Sequence, residues 1–144
     1  MVDMLKSTVE FGTLANRRRM VDGFPMPFAG KTGTTQNWSD AWTVGFSPYI
    51  TTAVWFGFDM PGNSLGLNQT GAMAAGPVWA RYMKDIHENN PELPPTDFKR
   101  PGGLEELSVC SVSGMLPTEY CNEGVKTEIF IAGTEPRKFC TFHE

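Results

Sequence analysis

The sequence predicts an α+β protein in which an antiparallel three-strand meander is flanked by helices and followed by a small β-rich tail. Three observations support this class. Apolar residues have the spacing of an amphipathic helix near each end of residues 1–90. Between these helices lie segments rich in β-branched and aromatic residues, joined by connections too short for a helical crossover. A proline-rich stretch, residues 91–103, then separates this part from residues 104–144.

The first helix is predicted over residues 2–11. Met4, Leu5 and Val9 recur at helical spacing, and Gly12 is typical of a helix end. Residues 13–25 are predicted to connect this helix to the sheet. A short helix needs a surface to pack on, so we expect that more of the protein precedes it.

Three strands are predicted next, and the residues Ser47-Pro48-Tyr49 indicate a tight turn between the last two. The predicted strands are residues 28–35, 41–46 and 51–58. A helix of about four turns is predicted from residue 72, with Thr70 as its N-cap and Pro77 separating or kinking its first turn. Alternation around residues 107–112 and 127–131 predicts two short strands in the tail.

Composition and charge limit the classes of function. Hydrophobic residues make up 40% of the 144 residues and charged residues 19%, which is typical of a globular protein. The formal net charge of -4 argues against nucleic-acid binding, which requires a basic excess. No apolar stretch is long enough to span a membrane, and residues 1–6 do not have the pattern of a signal peptide.

The segment that indicates chemistry is residues 28–35, Phe-Ala-Gly-Lys-Thr-Gly-Thr-Thr. Lys31 carries a positive charge, Gly33 lets another backbone come close, and the threonines supply hydroxyl donors. In a strand, Lys31 and Gly33 face one side while Thr32 and Thr34 face the other. Such a strand can bind a carboxylate and offer a backbone N–H to an acyl oxyanion. A nucleotide-binding P-loop is excluded, because residue 25 is proline where that motif requires glycine.

The order of these motifs resembles the transpeptidase domain of class A penicillin-binding proteins. The match comprises Ala-Gly-Lys-Thr-Gly-Thr-Thr at 29–35, Asp-Ala-Trp at 40–42, Val-Gly-Phe-Ser-Pro at 44–48 and Gly-Pro-Val-Trp at 76–79. The resemblance implies a partial β-lactamase/transpeptidase-like fold for residues 1–90. It also implies that residues 104–144 form a small cysteine-containing β appendage, similar to the tails of some members.

The resemblance implies D,D-transpeptidation, in which a serine attacks the D-Ala-D-Ala bond of a peptidoglycan stem peptide. It further implies acylation by β-lactams, no cofactor, and a location at the extracytoplasmic face of the bacterial cytoplasmic membrane, in the periplasm, through an anchor outside this chain. Lys31 and Thr34 would be catalytic, with the Thr34 backbone N–H as one of two oxyanion donors. Substrate contacts would come from Thr32, Gly33, Thr34 and Thr35. Trp38, in a polar loop, would line the substrate groove.

The sequence departs from this family in one respect. The family's Ser-x-x-Lys and Ser-x-Asn motifs precede its Lys-Thr-Gly strand, and no serine of this chain has lysine three residues on or asparagine two residues on. We therefore predict that the chain alone does not transpeptidate. The nucleophile and a glycosyltransferase domain would belong to a missing N-terminal portion. The alternatives are a non-catalytic peptidoglycan- or partner-binding module, and a small cysteine- or zinc-stabilised interaction domain.

Several other residues have structural interpretations. Asp40 is expected to orient its turn by bonds from its side chain to the backbone. Trp42, Trp55 and Trp79 are expected in the core, and His87 is expected to interact with the last carbonyls of its helix.

Cys110, Cys121, Cys140 and His143 have two interpretations, a zinc site or a single disulfide with one free thiol. The spacing of Cys140 and His143 suits zinc, whereas the ten residues between Cys110 and Cys121 exceed the usual spacing of a compact zinc site.

Overall fold

The computed structural model describes residues 1–18, 25–60, 62–122 and 124–143, and the chain divides into two compact units. The first unit is Met1–Lys99 and contains a three-stranded sheet; the second is Arg100–Glu144 and contains a two-stranded sheet. The predicted α+β class is confirmed. None of the helices in these described ranges has the length and apolar character needed to cross a membrane.

The first unit's sheet has the strand order β1-β2-β3 and is antiparallel throughout. Its strands are β1, Ala29–Thr34; β2, Ala41–Phe46; and β3, Thr51–Phe56. The turn between β2 and β3 is closed by Ser47, whose hydroxyl oxygen accepts the backbone N–H groups of Tyr49 and Ile50. The meander therefore follows the sequence prediction, with each outer strand slightly shorter than predicted.

The helices begin and end close to the predicted positions. α1 is Val2–Glu10, and α3, Gly76–Glu88, continues from a π-helical turn over Gly71–Ala75. Pro77 lies in the first turn of α3, where the π-helical turn gives way to the α-helix. The predicted connector holds an additional short helix, α2, Ala15–Arg18. Residues 19–24 of that connector lie outside the described residues.

α1 and α3 cover one face of the sheet, and the core of the first unit lies beneath them. Its buried residues are Val9, Leu14, Met26, Phe28, Trp79, Ala80 and Met83. The Trp79 ring packs edge-on against Phe28, with the ring centroids 5.7 Å apart. A Cβ at Gly45 would lie only 2.2 Å from the Trp79 ring, so glycine is what lets the indole reach the sheet.

Trp42, Trp55 and Trp79 were all predicted to lie in the core, and this prediction is wrong for Trp42 and Trp55. Trp42 and Trp55 are 42% and 41% exposed on the opposite face of the sheet, where their rings lie 6.0 Å apart. They pair across β2 and β3. The alternation of side chains along a strand puts Trp42 on the face away from α3, since its neighbours Ala41 and Thr43 are buried.

His87 has a contact that its position near the helix end did not predict. Its Nε2 lies 2.9 Å from the Ser47 hydroxyl, and the residue is buried. Because the Ser47 oxygen already accepts two backbone N–H groups, its own hydrogen is donated to Nε2. This requires a neutral imidazole. Burial accordingly lowers the pKa of His87.

The boundary between the two units falls inside the predicted proline-rich linker. Residues before it pack on the first unit: the Tyr49 hydroxyl donates to Thr96 at 2.9 Å, and the rings of Phe46 and Phe98 lie 5.5 Å apart. The second unit contains β4, Leu104–Cys110, paired antiparallel with β5, Val125–Ile131. Both strands begin before the predicted positions. The assignment of residues 91–103 as a linker stays a prediction.

Candidate substrate-binding edge

β1 is the edge strand of the first sheet, and within the described residues it pairs with β2 alone. Just past the strand, the Thr35 N–H donates to the Asp40 carbonyl at 3.1 Å. In an antiparallel pair, residues directed at the partner alternate with residues directed away from it. Gly33 and Lys31 therefore bond to β2, whereas Thr32 and Thr34 direct their backbone N–H and C=O groups to the open edge.

The Lys31 ammonium lies at this open edge. Its Nζ donates to the Thr32 carbonyl oxygen at 2.9 Å, and that carbonyl points away from β2. The side chain is exposed to solvent. A positive charge therefore stands beside the backbone groups that an extended peptide would pair with.

The Thr34 hydroxyl is held in place by Gly71. Its Oγ1 accepts the Gly71 N–H at 3.0 Å, and the Gly71 carbonyl accepts the buried Thr43 hydroxyl at 3.0 Å. A Cβ at Gly71 would lie 2.2 Å from the Trp42 carbonyl oxygen and 2.5 Å from that of Gly33. Only glycine permits this close approach, which we call the Gly71 clamp. Because the Thr34 oxygen acts as acceptor here, its hydrogen stays available for donation to a ligand.

Thr32 has a partner that the sequence analysis did not identify. Its Oγ1 lies 3.1 Å from the Thr13 Oγ1, and either hydroxyl can be the donor. Thr13 follows α1 in a turn, so no periodic pattern indicates a contact with β1.

Thr35 and Asp40 form the turn between β1 and β2. The Thr35 hydroxyl donates to the Asp40 carboxylate at 3.0 Å and accepts the Asp40 N–H at 2.8 Å. The same carboxylate accepts the Trp55 indole N–H at 2.9 Å. The Asp40 carboxylate thus bonds to side chains, not to the backbone as expected. Thr35 therefore donates its one hydroxyl hydrogen inside the turn, and its contact with substrate stays a prediction.

Trp38 belongs to the short 3-10 turn Gln36–Trp38 between these strands. It and Asn37 have left-handed backbone conformations, with φ of 50° and 57°. Such values are uncommon outside glycine and persist only where the surroundings fix them. Here the Leu65 N–H donates to the Trp38 carbonyl at 2.9 Å, and the Ser64 hydroxyl donates to the Asn37 carbonyl at 2.6 Å. The loop that holds the indole is therefore tied down, and the ring is partly buried.

Gly33 lies on the exposed face of the sheet opposite Trp42. A Cβ added to it would lie 3.4 Å from the Trp42 Cβ, a close but tolerable contact. The structure thus brings Lys31, Thr32, Gly33 and Thr34 together on one strand.

The metal-binding residue types suggested by the sequence form a separate group in the second unit: Cys110, Cys121, Cys140 and His143, with ligand atoms within 4.8 Å of one another.

The fold and this open strand define the chain as a fragment of a class A penicillin-binding protein. A family model described as "Penicillin-binding protein 1A, C-terminal domain" matches residues 100–144. The chain is also similar to the crystal structure of penicillin-binding protein 1A from Haemophilus influenzae, with a TM-score of 0.81 and 28% identity over 96% of this chain. It belongs to the penicillin-binding protein 1A family.

Relatives in other bacteria support this assignment. Penicillin-binding protein 1A of Aquifex aeolicus is 41% identical over 97% of the chain, and that of Escherichia coli is 36% identical over 74%. The chain spans 18% of the length of the Aquifex protein and 20% of the Haemophilus chain. It therefore corresponds to a C-terminal part of these larger proteins.

Proposed function

We propose that this chain supplies the substrate-binding strand of a peptidoglycan D,D-transpeptidase whose nucleophilic serine belongs to another part of the protein. The observation that carries the proposal is the open edge of β1, where the Lys31 ammonium lies 2.9 Å from the outward-facing Thr32 carbonyl. Such an edge can accept an extended stem peptide as an additional strand. The positive charge beside it favours a peptide that ends in a carboxylate.

Two residues of the strand, Thr34 and Lys31, have chemical roles in this proposal. The outward N–H of Thr34 donates to the oxyanion that forms when the serine attacks the D-Ala-D-Ala carbonyl carbon. The Thr34 hydroxyl, positioned by the Gly71 clamp, donates its free hydrogen to the terminal carboxylate of the substrate. Lys31 compensates the negative charge of both groups. The peptide C–N bond then breaks, the terminal D-alanine leaves, and an amine of a second stem peptide resolves the acyl-enzyme.

The remaining parts of the proposal concern the whole protein. A β-lactam also offers a carboxylate and an acyl carbon, so it would occupy the same edge and acylate the serine. Trp38 would line the groove. The protein would work at the extracytoplasmic face of the bacterial membrane, anchored by residues outside this chain and joined to a glycosyltransferase domain.

Acylation of the full-length protein by labelled penicillin tests the role of Thr34. Thr34→Val removes the hydroxyl, and a hydrogen bond to a charged group contributes about 1.5–3 kcal/mol, so the acylation rate constant is expected to fall by about 10- to 150-fold. Thr34→Ser keeps the hydroxyl and is expected to retain most of the rate. Thr51→Val, on the far edge strand β3, is the matched control. A Thr34→Val rate within twofold of the wild type would refute the assigned contact.

The separate chain provides the complementary test. Because none of its serines has the Ser-x-x-Lys pattern, labelled penicillin is expected to leave it unmodified under conditions that label the full-length protein. A labelled band that survives denaturation would contradict the prediction that the nucleophile lies elsewhere. Titration with a D-Ala-D-Ala stem peptide, followed by NMR, would then show whether Lys31 to Thr34 still bind substrate without catalysis.

A further inference from the structure

The second unit has a centre made of thiols in place of an apolar core. Of its described residues, only Val109 and the three cysteines Cys110, Cys121 and Cys140 are buried. Large apolar side chains such as Ile131, Phe139 and Phe142 are instead more than 60% exposed. A unit of this size cannot be stabilised by so few buried apolar groups, and small domains of this kind use disulfides or a structural metal.

Disulfides do not explain this centre. All three cysteines are free, and pairing any two would leave the third thiol buried next to an imidazole. His143 completes the group, because its Nδ1 lies 3.6 Å from the Cys110 Sγ and 3.4 Å from the Cys140 Sγ. The four residues come from three separate segments, the end of β4, a turn near residue 121 and the last residues of the unit.

The two sulfur–nitrogen distances at His143 fit a tetrahedral metal. With Zn–S bonds of about 2.3 Å and Zn–N bonds of about 2.0–2.1 Å, tetrahedral angles separate sulfur from nitrogen by about 3.6 Å and the sulfurs by about 3.8 Å. The two measured sulfur–nitrogen distances are 3.6 and 3.4 Å, and all four ligand atoms lie within 4.8 Å of one another. We propose that Cys110, Cys121, Cys140 and His143 form a structural Zn²⁺ site.

Neighbouring groups would support thiolate ligands. The Ser113 hydroxyl donates to the Cys140 sulfur at 3.2 Å, and the Thr118 N–H donates to the Cys121 sulfur at 3.3 Å. Hydrogen bonds to ligand atoms fix their orientation and are a regular feature of metal sites. The turn after Cys110 closes through the Gly114 N–H, which donates to the Cys110 carbonyl at 2.9 Å with Gly114 at a φ of 69°.

The donor set selects the metal. Three thiolates and one imidazole in a closed tetrahedron suit Zn²⁺, whereas Mg²⁺ and Ca²⁺ require oxygen ligands. With four protein ligands, no position stays open for water or substrate, so the site is structural and not catalytic. This inference does not depend on the transpeptidase proposal, because none of its residues belongs to β1.

Metal analysis of the purified chain tests the site directly. The expected result is one zinc per chain, and replacement by Co²⁺ is expected to give thiolate-to-cobalt charge-transfer bands together with the intense visible bands of tetrahedral coordination. A disulfide would refute the proposal: thiol titration of the denatured, unreduced chain would then find one free thiol instead of three, with no bound zinc. Cobalt bound without charge-transfer bands would refute it as well.

Zinc affinities of single variants distinguish the four metal ligands from the residues that only hydrogen-bond to them. Cys121→Ser or His143→Gln is expected to weaken zinc binding by more than about 100-fold, because losing even an outer partner costs about 10- to 100-fold. Ser113→Ala, which removes such an outer partner, is expected to weaken it by about 10-fold. His87→Gln, at the chain's other histidine, is the matched control and is expected to bind zinc like the wild type. Unchanged zinc affinity in both ligand variants would overturn the assignment.

Discussion

Replacing Gly71 by alanine is expected to destabilise the first unit strongly, because the Gly71 clamp has no room for a methyl group. The new Cβ would lie 2.2 Å from the Trp42 carbonyl oxygen and 2.5 Å from the Gly33 carbonyl oxygen. Both obstacles are backbone atoms of paired strands, so neither can move without distorting the sheet. Overpacking of this kind costs about 1–3 kcal/mol.

The same displacement would break two hydrogen bonds. Moving Gly71 away from the sheet separates its N–H from Thr34 and its carbonyl from Thr43, and each bond contributes about 1 kcal/mol. The free energy of unfolding is therefore expected to fall by about 3–5 kcal/mol. For a urea dependence of about 1–3 kcal/mol/M, the unfolding midpoint shifts by at least about 1 M.

Urea unfolding of the 144-residue chain, followed by tryptophan fluorescence, measures this change. Gly102→Ala is the matched control, because a Cβ at that position meets nothing within 4 Å. A Gly71→Ala variant whose unfolding free energy stays within about 0.5 kcal/mol of the wild type would refute the close approach and the Gly71 clamp.

Three further substitutions test the other contacts of the first unit. Burial lowers the folded-state pKa of His87. The contribution of this neutral imidazole to the unfolding free energy is therefore fully present above the unfolded-state pKa of about 6.5, and it declines as the pH falls below that value. His87→Gln should flatten this decline between pH 7.5 and 5.5, and an identical decline would contradict the buried neutral imidazole. Asp40→Ala removes the carboxylate that accepts the Thr35 hydroxyl and the Trp55 indole N–H, and it is expected to lower the unfolding free energy measured in urea by about 1–2 kcal/mol. An unchanged unfolding free energy would show that the turn does not depend on this carboxylate. Trp79→Ala is expected to cost about 3–5 kcal/mol, against less than about 1 kcal/mol for the half-exposed neighbour Val78→Ala. Equal losses in these two would contradict the core assignment.

The first unit was largely predictable because its patterns are local. Helical spacing located α1 and α3, β-branched runs located β2 and β3, and Ser47-Pro48-Tyr49 located their turn. The strand with the candidate site was found from its unusual composition: a lysine and two glycines are rare in a strand without a functional reason. The chain's membership in the penicillin-binding protein 1A family is supported by its relatives.

What the sequence did not reveal depends on long-range contacts. Nothing near Gly71 indicates that it touches two strands much earlier in the chain, and nothing near Thr13 indicates its contact with Thr32. The exposure of Trp42 and Trp55 depends on which face of the sheet the helices cover, which strand periodicity alone does not determine. His87 was placed by its position near a helix end, whereas its burial beside Ser47 determines its environment.

The link between the helix start and the strands has a consequence for motion. Because the Gly71 N–H is bonded to the Thr34 hydroxyl of β1 and the Gly71 carbonyl to the Thr43 hydroxyl of β2, the first helical turn can separate from the sheet only if both bonds break. The Gly71 amide and the β1 amides that are bonded to β2 are therefore expected to show similar protection from exchange with deuterated solvent. A ligand that stabilises β1 would slow exchange at the Gly71 amide. Binding of the ligand could therefore be followed at an amide that the ligand does not contact.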